Sequence, residues 1–356
     1  MLLVFVAVVG ARFLLPLTIP RYPLPGIIAC LVLDGIDQTI FQAFGYDPPG
    51  YQSYDKAMDV FYLAIAYLTT LRNWVSSPAY DVGRFLYFYR LVGVVAFELS
   101  QVRALLLVFP NTFEYYYIAY ETVRSRWSPL RLVFAGWVVV AALIWVFVKL
   151  PQEYWIHVAQ LDLTDVLSEN AWAPPLLVAI LLAIAGIVWF VVRPRSPQPD
   201  WPLRIAADPL PEEMDEGVER AAWHAENTRV WSWATLEKVV LVSLLSVIFA
   251  QTVPGVSASN VELAIGTAAF VVVNAAISLA AVRRSMTPES AAAVFAARLT
   301  INIGLVLVAG WLLGPGDRNL SASIFFVAML SLLTSLHDRW LPVRATRDLR
   351  TAAPAT

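Results

Sequence analysis

Four aspartates, Asp34, Asp37, Asp55 and Asp59, lie in the stretch LVLDGIDQTIFQAFGYDPPGYQSYDKAMDVFYLAIAYLTTLRNW, residues 31–74, which is otherwise mostly apolar. The stretch reads as two membrane-spanning helices and their turn. An ionised side chain at a bilayer centre costs about 2.5–3.5 kcal/mol on insertion scales. Several in one hairpin stay there only if they face each other, an ion or trapped water. At about 100° per residue, Asp34, Asp37, Gln38 and Gln42 share one arc of the first helix. Asp55, Asp59, Tyr62, Thr69, Thr70 and Asn73 form a stripe along the second. Facing lipid, that stripe would leave polar groups unpaired in hydrocarbon, so it must face protein or water. Lys56 suits the headgroup layer.

A third helix completes the polar set. Arg90, Glu98 and Gln101 fall within about 80° of arc, which gives the helix one charged face. Arg84 and Arg103 are placed to reach lipid phosphates along their apolar stems. The expected arrangement packs the second, third and fourth spans around a cavity lined by Asp34, Asp37, Asp55, Asp59, Tyr62, Arg90, Glu98 and Gln101, with Arg90 paired to Asp37 or Asp59. Such a cluster has three physical readings. Buried ion pairs can fix helix register without binding anything. Intramembrane carboxylates can pass an ion or a small polar solute. Carboxylates at these spacings can also hold a hard cation such as Mg²⁺ for a metal-dependent membrane enzyme.

The acid spacing resembles the CDP-alcohol phosphotransferases, whose motif D-x-x-D-G-x-x-A-R, then G-x-x-x-D-x-x-x-D, spans two consecutive helices near the cytoplasmic face. The resemblance implies Asp34, Asp37 and Asp55 as ligands of a magnesium ion and Asp59 as the base, acting on a lipid-linked phosphate. Gln38 stands where that motif has glycine, Phe41-Gln42 replaces Ala-Arg, and Gly50 precedes Asp55 by one residue too many. Outside that reading no cofactor is implied.

The elements that must position these residues follow from composition. Of 356 residues, 59 % are hydrophobic, and mean hydropathy is +0.64. Apolar runs of about 20 residues recur along the chain, each enough to cross a bilayer as a helix. The expected fold is an all-α polytopic membrane protein of about ten transmembrane helices. The spans read as residues 2–19, 24–44, 56–74, 83–109, 131–150, 174–192, 235–253, 261–282, 293–313 and 320–336. Residues 1–192 form a six-span bundle holding the charged cluster. Residues 193–232 form a proline-rich linker and surface helix, 233–340 a four-span scaffold, and 341–356 a tail. Arg12 interrupts the first span. Surface helices are expected at 153–168 and after Pro211, and Thr287-Pro288-Glu289-Ser290 marks a helix start. The aromatic block Phe113 to Trp127 suits interfacial anchoring, and Asn274 and Asn302 suit hydrogen bonding between helices.

A net charge of −2 gives no surface for nucleic acid, so the partners are membrane lipids and an ion or solute. Cys30 is the single cysteine, and His157, His224 and His337 are far apart, which argues against disulfides, thiolate zinc and multi-histidine sites. No cleavable signal is evident, so the first helix is expected to be retained. Under a ten-span count, Arg124, Arg126, Arg131, Arg193, Arg195, Arg204, Arg283, Arg284, Arg339, Arg344, Arg347 and Arg350 share one face. The excess of arginine assigns that face to the cytoplasm of an inner (cell) membrane protein. Both termini and the Pro48-Pro49-Gly50 turn then lie inside.

Overall fold

The computed structural model describes residues 2–45, 51–159, 166–167, 169–214, 219, 222–223, 233–252, 271–274, 276, 295–304 and 320–352. Every regular element among them is helical, with no strand. Among the described residues, four helices are long and apolar enough to cross a membrane: Pro23–Ala43, Phe134–Ile156, Ala173–Arg195 and Ile324–Asp348. Along Ala173–Arg195 the side chains of Leu182 and Phe190 are 68 % and 75 % exposed. An apolar surface that continuous is compatible with lipid and unfavourable in water. The loop 254–260, the helix start at Thr287, Arg283, Arg284, Asp162, Asp165 and the Pro48-Pro49-Gly50 turn lie outside the described residues.

The chain opens with α1, Leu2–Leu14, drawn out by a 3-10 turn to Thr18. Pro20 stops it, and Pro23 starts α2, Pro23–Ala43, where its missing N–H is no loss. Then come α3, Tyr51–Asn73, and α4, Ser77–Ser100, whose start is capped by the Ser76 hydroxyl accepting from Ala79 N at 3.3 Å. A short α5, Ala104–Val108, precedes α6, Thr112–Arg126. The helix α7, Phe134–Ile156, is continuous through widened turns at Trp145–Lys149 and from Tyr154. Residues 153–158 therefore extend this helix, where a separate surface helix was expected. α8 is Ala173–Arg195, α9 Trp233–Thr252 and α10 Leu320–Ala352. Helical residues 271–274 and 295–304 fall within the eighth and ninth expected spans.

α3 is the hub. From Ala57 to Leu71 it is buried at almost every position, with Ala64, Ile65, Ala66, Tyr67 and Leu68 at 0 % exposure. Burial on all sides marks a helix surrounded by others, and α1, α2, α4, α9 and α10 all pack on it. α9 and α10 thus share one core with the N-terminal helices.

Pairings along α3 fix the direction of its neighbours. Near its start Asp55 and Asp59 meet Arg12 of α1. Further on, the Tyr62 hydroxyl donates to Glu114 of α6. At its end Trp74 Nε1 donates to Glu121 of α6 at 3.0 Å, and Val75 N to the Tyr120 hydroxyl at 3.1 Å. α6 therefore runs parallel to α3 and antiparallel to α4. Arg344 of α10 donates to the Trp74 carbonyl at 3.2 Å, while Phe325 packs on Phe13, so α10 also runs parallel to α3.

The return from α4 is a broken helix. Gln101, with φ +57°, ends α4 in the left-handed conformation, its N–H bonded to Phe97 O at 2.6 Å. The chain then folds back along α4. Tyr89 donates to Val108 O at 3.1 Å and Arg90 to Phe109 O at 2.9 Å. Gly93 lets Phe109 approach where any Cβ would collide with it. Pro110 separates α5 from α6. The sequence reading assigned residues 104–109 to the fourth span and 113–127 to the interface. Instead they form one limb folded back along α4; its first part stays partly exposed, with Val108 at 52 %, while α6 is packed inside the bundle, with Phe113, Tyr116, Tyr117 and Tyr120 at 0 % exposure. The hydroxyls and Glu114 lower the hydropathy of this limb, and burial against α2, α4 and α7 compensates.

One end of the bundle gathers the α1–α2 and α3–α4 turns, the end of α6, the 196–208 stretch and the end of α10. Ala207 N donates to Arg21 O at 2.8 Å, Arg204 N to Ser125 O at 2.9 Å, Arg72 to Pro20 O at 3.0 Å, and Arg344 to Ser77 at 2.7 Å. Residues 196–208 are thus strapped across this end and do not hang free. Arg21, Arg72, Arg124, Arg126, Arg131, Arg195, Arg204 and Arg344 all lie here. α1 begins at the opposite end and α10 finishes at this one.

Candidate functional site

Arg12 is the centre of the acid cluster. It sits ten residues into α1, 3 % exposed, facing α2 and α3. Its Nη2 meets Asp34 at 2.6 Å and Asp59 at 2.5 Å, while Nη1 meets Asp55 at 3.1 Å and also binds Asp37. The helical spacing explains the convergence. Asp34 and Asp37 are one turn apart on α2, as Asp55 and Asp59 are on α3, so both pairs aim at one point between the helices. The planar guanidinium forks its donors toward several oxygens at once, which a lysine cannot do.

One cation among four carboxylates leaves three negative charges uncompensated if all are ionised. Asp34, Asp55 and Asp59 each present an oxygen within 4.8 Å of the others, a spacing compatible with a shared cation. Like charges this close repel one another, and a bound cation would offset the repulsion. Asp37 is 2 % exposed. The side chains of Asp34, Asp55 and Asp59 are 27 %, 37 % and 38 % exposed, so the cluster opens on one side. Asp55 and Asp59 lie near the start of α3, the end of that helix away from the arginine-rich end.

The structure unites five of the eight residues expected to line the cavity and separates three. Asp34, Asp37, Asp55 and Asp59 share Arg12, and Tyr62 follows one turn beyond Asp59. Arg90 does not pair with Asp37 or Asp59: its guanidinium donates to the Phe109 carbonyl of the returning limb at 2.9 Å. Glu98 takes the Lys56 ammonium at 3.3 Å, with that ammonium also over the Phe97 ring at 4.9 Å. Gln101 caps α4, its side chain donating to Glu98 O at 2.8 Å. The second half of the α3 stripe is buried in protein, as expected, but offers no free groups to a route. Thr69 and Thr70 hydroxyls donate to Ile65 O and Tyr67 O at 2.8 and 2.6 Å, and Asn73 donates to Pro20 O at 3.2 Å. A groove on α4 is lined by Asp81, Arg84, Phe85, Phe88, Tyr89 and Val92, none of them from the acid cluster.

A second buried polar group was not read from the sequence. Glu114 accepts from Tyr62 and, at 3.0 Å, from Asn111 Nδ2; Lys149 of α7 lies 3.9 Å from Glu114 and 4.0 Å from Glu153. All three charged residues are at most 4 % exposed. Two further networks tie the C-terminal helices down. Asp338 of α10 binds Lys238 and, at 2.5 Å, Arg298. Asn274 donates to Asn302 at 2.9 Å and Asn302 to Ser331 at 2.8 Å, the interhelical bonding expected of those asparagines.

No protein family, no curated protein and no solved structure matches the chain. The site's chemistry is therefore argued from its own residues.

Proposed function

We propose that this chain is a multi-pass protein of the cell (inner) membrane that moves a proton or small cation through the Arg12–aspartate cluster. The observation that carries the reading is the convergence of Asp34, Asp37, Asp55 and Asp59 on one guanidinium, three of them with oxygens within 4.8 Å of one another. A purely structural pairing needs one acid per base. Three acids beyond that number are costly unless something mobile neutralises them. The arginine-rich end is assigned to the cytoplasm. The broken limb 104–126 adds a crossing to the expected ten, which puts the C-terminus in the cytoplasm and the start of α1, with the acid cluster, toward the opposite face. On this reading the chain starts outside and ends in the cytoplasm, where the ten-span count expects both termini inside.

The test is proton flux into proteoliposomes holding a pH-sensitive dye, under an imposed pH or cation gradient. Wild-type flux that falls by about tenfold or more in Asp59→Asn supports the reading. Wild-type flux no faster than that of empty liposomes, with every common cation, removes it and leaves the ion pairs a structural role.

The 4.8 Å grouping of Asp34, Asp55 and Asp59 also favours a second reading, a Mg²⁺-dependent enzyme acting on a lipid-linked phosphate. Arg12 already engages each of those acids, and the proposed orientation sets them away from the cytoplasmic face that the phosphotransferase resemblance implies. Mg²⁺-dependent turnover of a CDP-activated lipid by purified protein would establish this reading over the first.

A further inference from the structure

Glu114, Lys149 and Glu153 come from two helices, α6 and α7, and meet beside the break at Pro110. The groups facing Glu114 are Tyr62 of α3, Arg90 of α4, Asn111 and Tyr115 of its own limb, and Lys149 with Glu153 of α7. Asp34 of α2 is close enough for its charge to act on Tyr62, Glu114 and Lys149 alike. Tyr62 stands between the two charged groups: it is one turn from Asp59 on α3, and its hydroxyl donates to Glu114. Beside Glu114, the Asn111 side chain, whose Nδ2 donates to it, keeps its Oδ1 buried without a hydrogen-bond partner among the described residues. Buried polar atoms left unpaired cost free energy. The place of this oxygen next to a buried ion pair suits a water or a cation.

We propose that Glu114, Lys149 and Glu153 form a second ion station, and that Tyr62 passes protons between it and the aspartates around Arg12. The inference rests on the ion-moving reading of that cluster and extends its path along α3 and α6. In the transfer, the Tyr62 O–H bond breaks as a bond forms from that hydrogen to Glu114 Oε1. A proton from the carboxylic acid of Asp59, directly or through one water, restores the phenol. One proton leaves the first station for each one reaching the second, so charge balances. Once Glu114 is protonated, Lys149 keeps only Glu153 as an ionised partner, 4.0 Å away.

Tyr62→Phe keeps the ring and removes the hydroxyl. In the proteoliposome assay, proton flux is expected to fall by about tenfold or more, as for loss of a proton-transfer group, with the melting temperature of the purified protein retained. Unchanged flux overturns the proposal while leaving the aspartate cluster's role intact, since Asp59→Asn reports on that separately. If Tyr62→Phe also melts early, Glu114→Gln decides: it keeps the size and an acceptor for Tyr62 but cannot take the proton. Glu114→Gln with wild-type flux overturns the relay, and Glu114→Gln with lost flux and retained melting supports it. Absence of flux in the wild type removes the ion-moving reading and this inference together.

Discussion

Arg12 and Arg90 differ in what they would strand. Removing Arg12 leaves four carboxylates without their shared cation, and losing one partner of a buried charged group costs about 3–5 kcal/mol. We expect Arg12→Leu to be destabilised by about that amount in detergent melts. Adding Asp37→Leu is expected to recover part of the loss, because Asp37, 2 % exposed, is the least hydrated of the four acids. The same cycle run between Arg90→Leu and Asp37→Leu should be additive, since Arg90 is bonded to the Phe109 carbonyl. Additive losses in the Arg12–Asp37 cycle would contradict the cluster. The four acids were legible in the sequence because charge in an apolar run is conspicuous. Their partner was not, because Arg12 lies twenty-two residues before Asp34 and one arginine near a chain end reads equally well as an interfacial anchor. The signal was the charge imbalance: the hairpin carries more acid than base, and Arg12 is the one charged residue inside the preceding apolar run, residues 2–19.

At the scale of elements, two residues separate a helix-end role from a cavity role. Gln101 holds φ +57°, a conformation that costs a residue with Cβ about 1 kcal/mol relative to glycine. Gln101→Gly is therefore expected to keep or raise thermal stability and to leave flux unchanged. Lost flux at wild-type stability would return Gln101 to the site. Gly93 is the contact on which α5 turns into α6. Gly93→Ala places a methyl group against Phe109 and should lower stability by about 1–3 kcal/mol through overpacking. An unchanged melting temperature would mean that the broken limb does not pack there. Long apolar helices such as Ala173–Arg195 were legible from hydropathy. The limb 104–126 was not, because tyrosines and Glu114 make it look like a surface. Its burial depends on α2, α4 and α7, which no local pattern records.

At the scale of the molecule, the proposed orientation turns on whether that limb crosses the membrane. Counting it as a crossing leaves the arginine-rich end as a single face and moves Arg12 and its aspartates toward the other. The most direct measurement is sided labelling of single cysteines in a Cys30→Ser background. Phe44, 56 % exposed, lies at the end of α2 beyond the acids; Leu203, 58 % exposed, lies in the stretch strapped across the arginine-rich end. The proposed orientation predicts that Phe44→Cys and Leu203→Cys react from opposite sides of the membrane, with Leu203→Cys reached from the cytoplasm. Labelling of both from the cytoplasmic side, as the ten-span count requires, would contradict it.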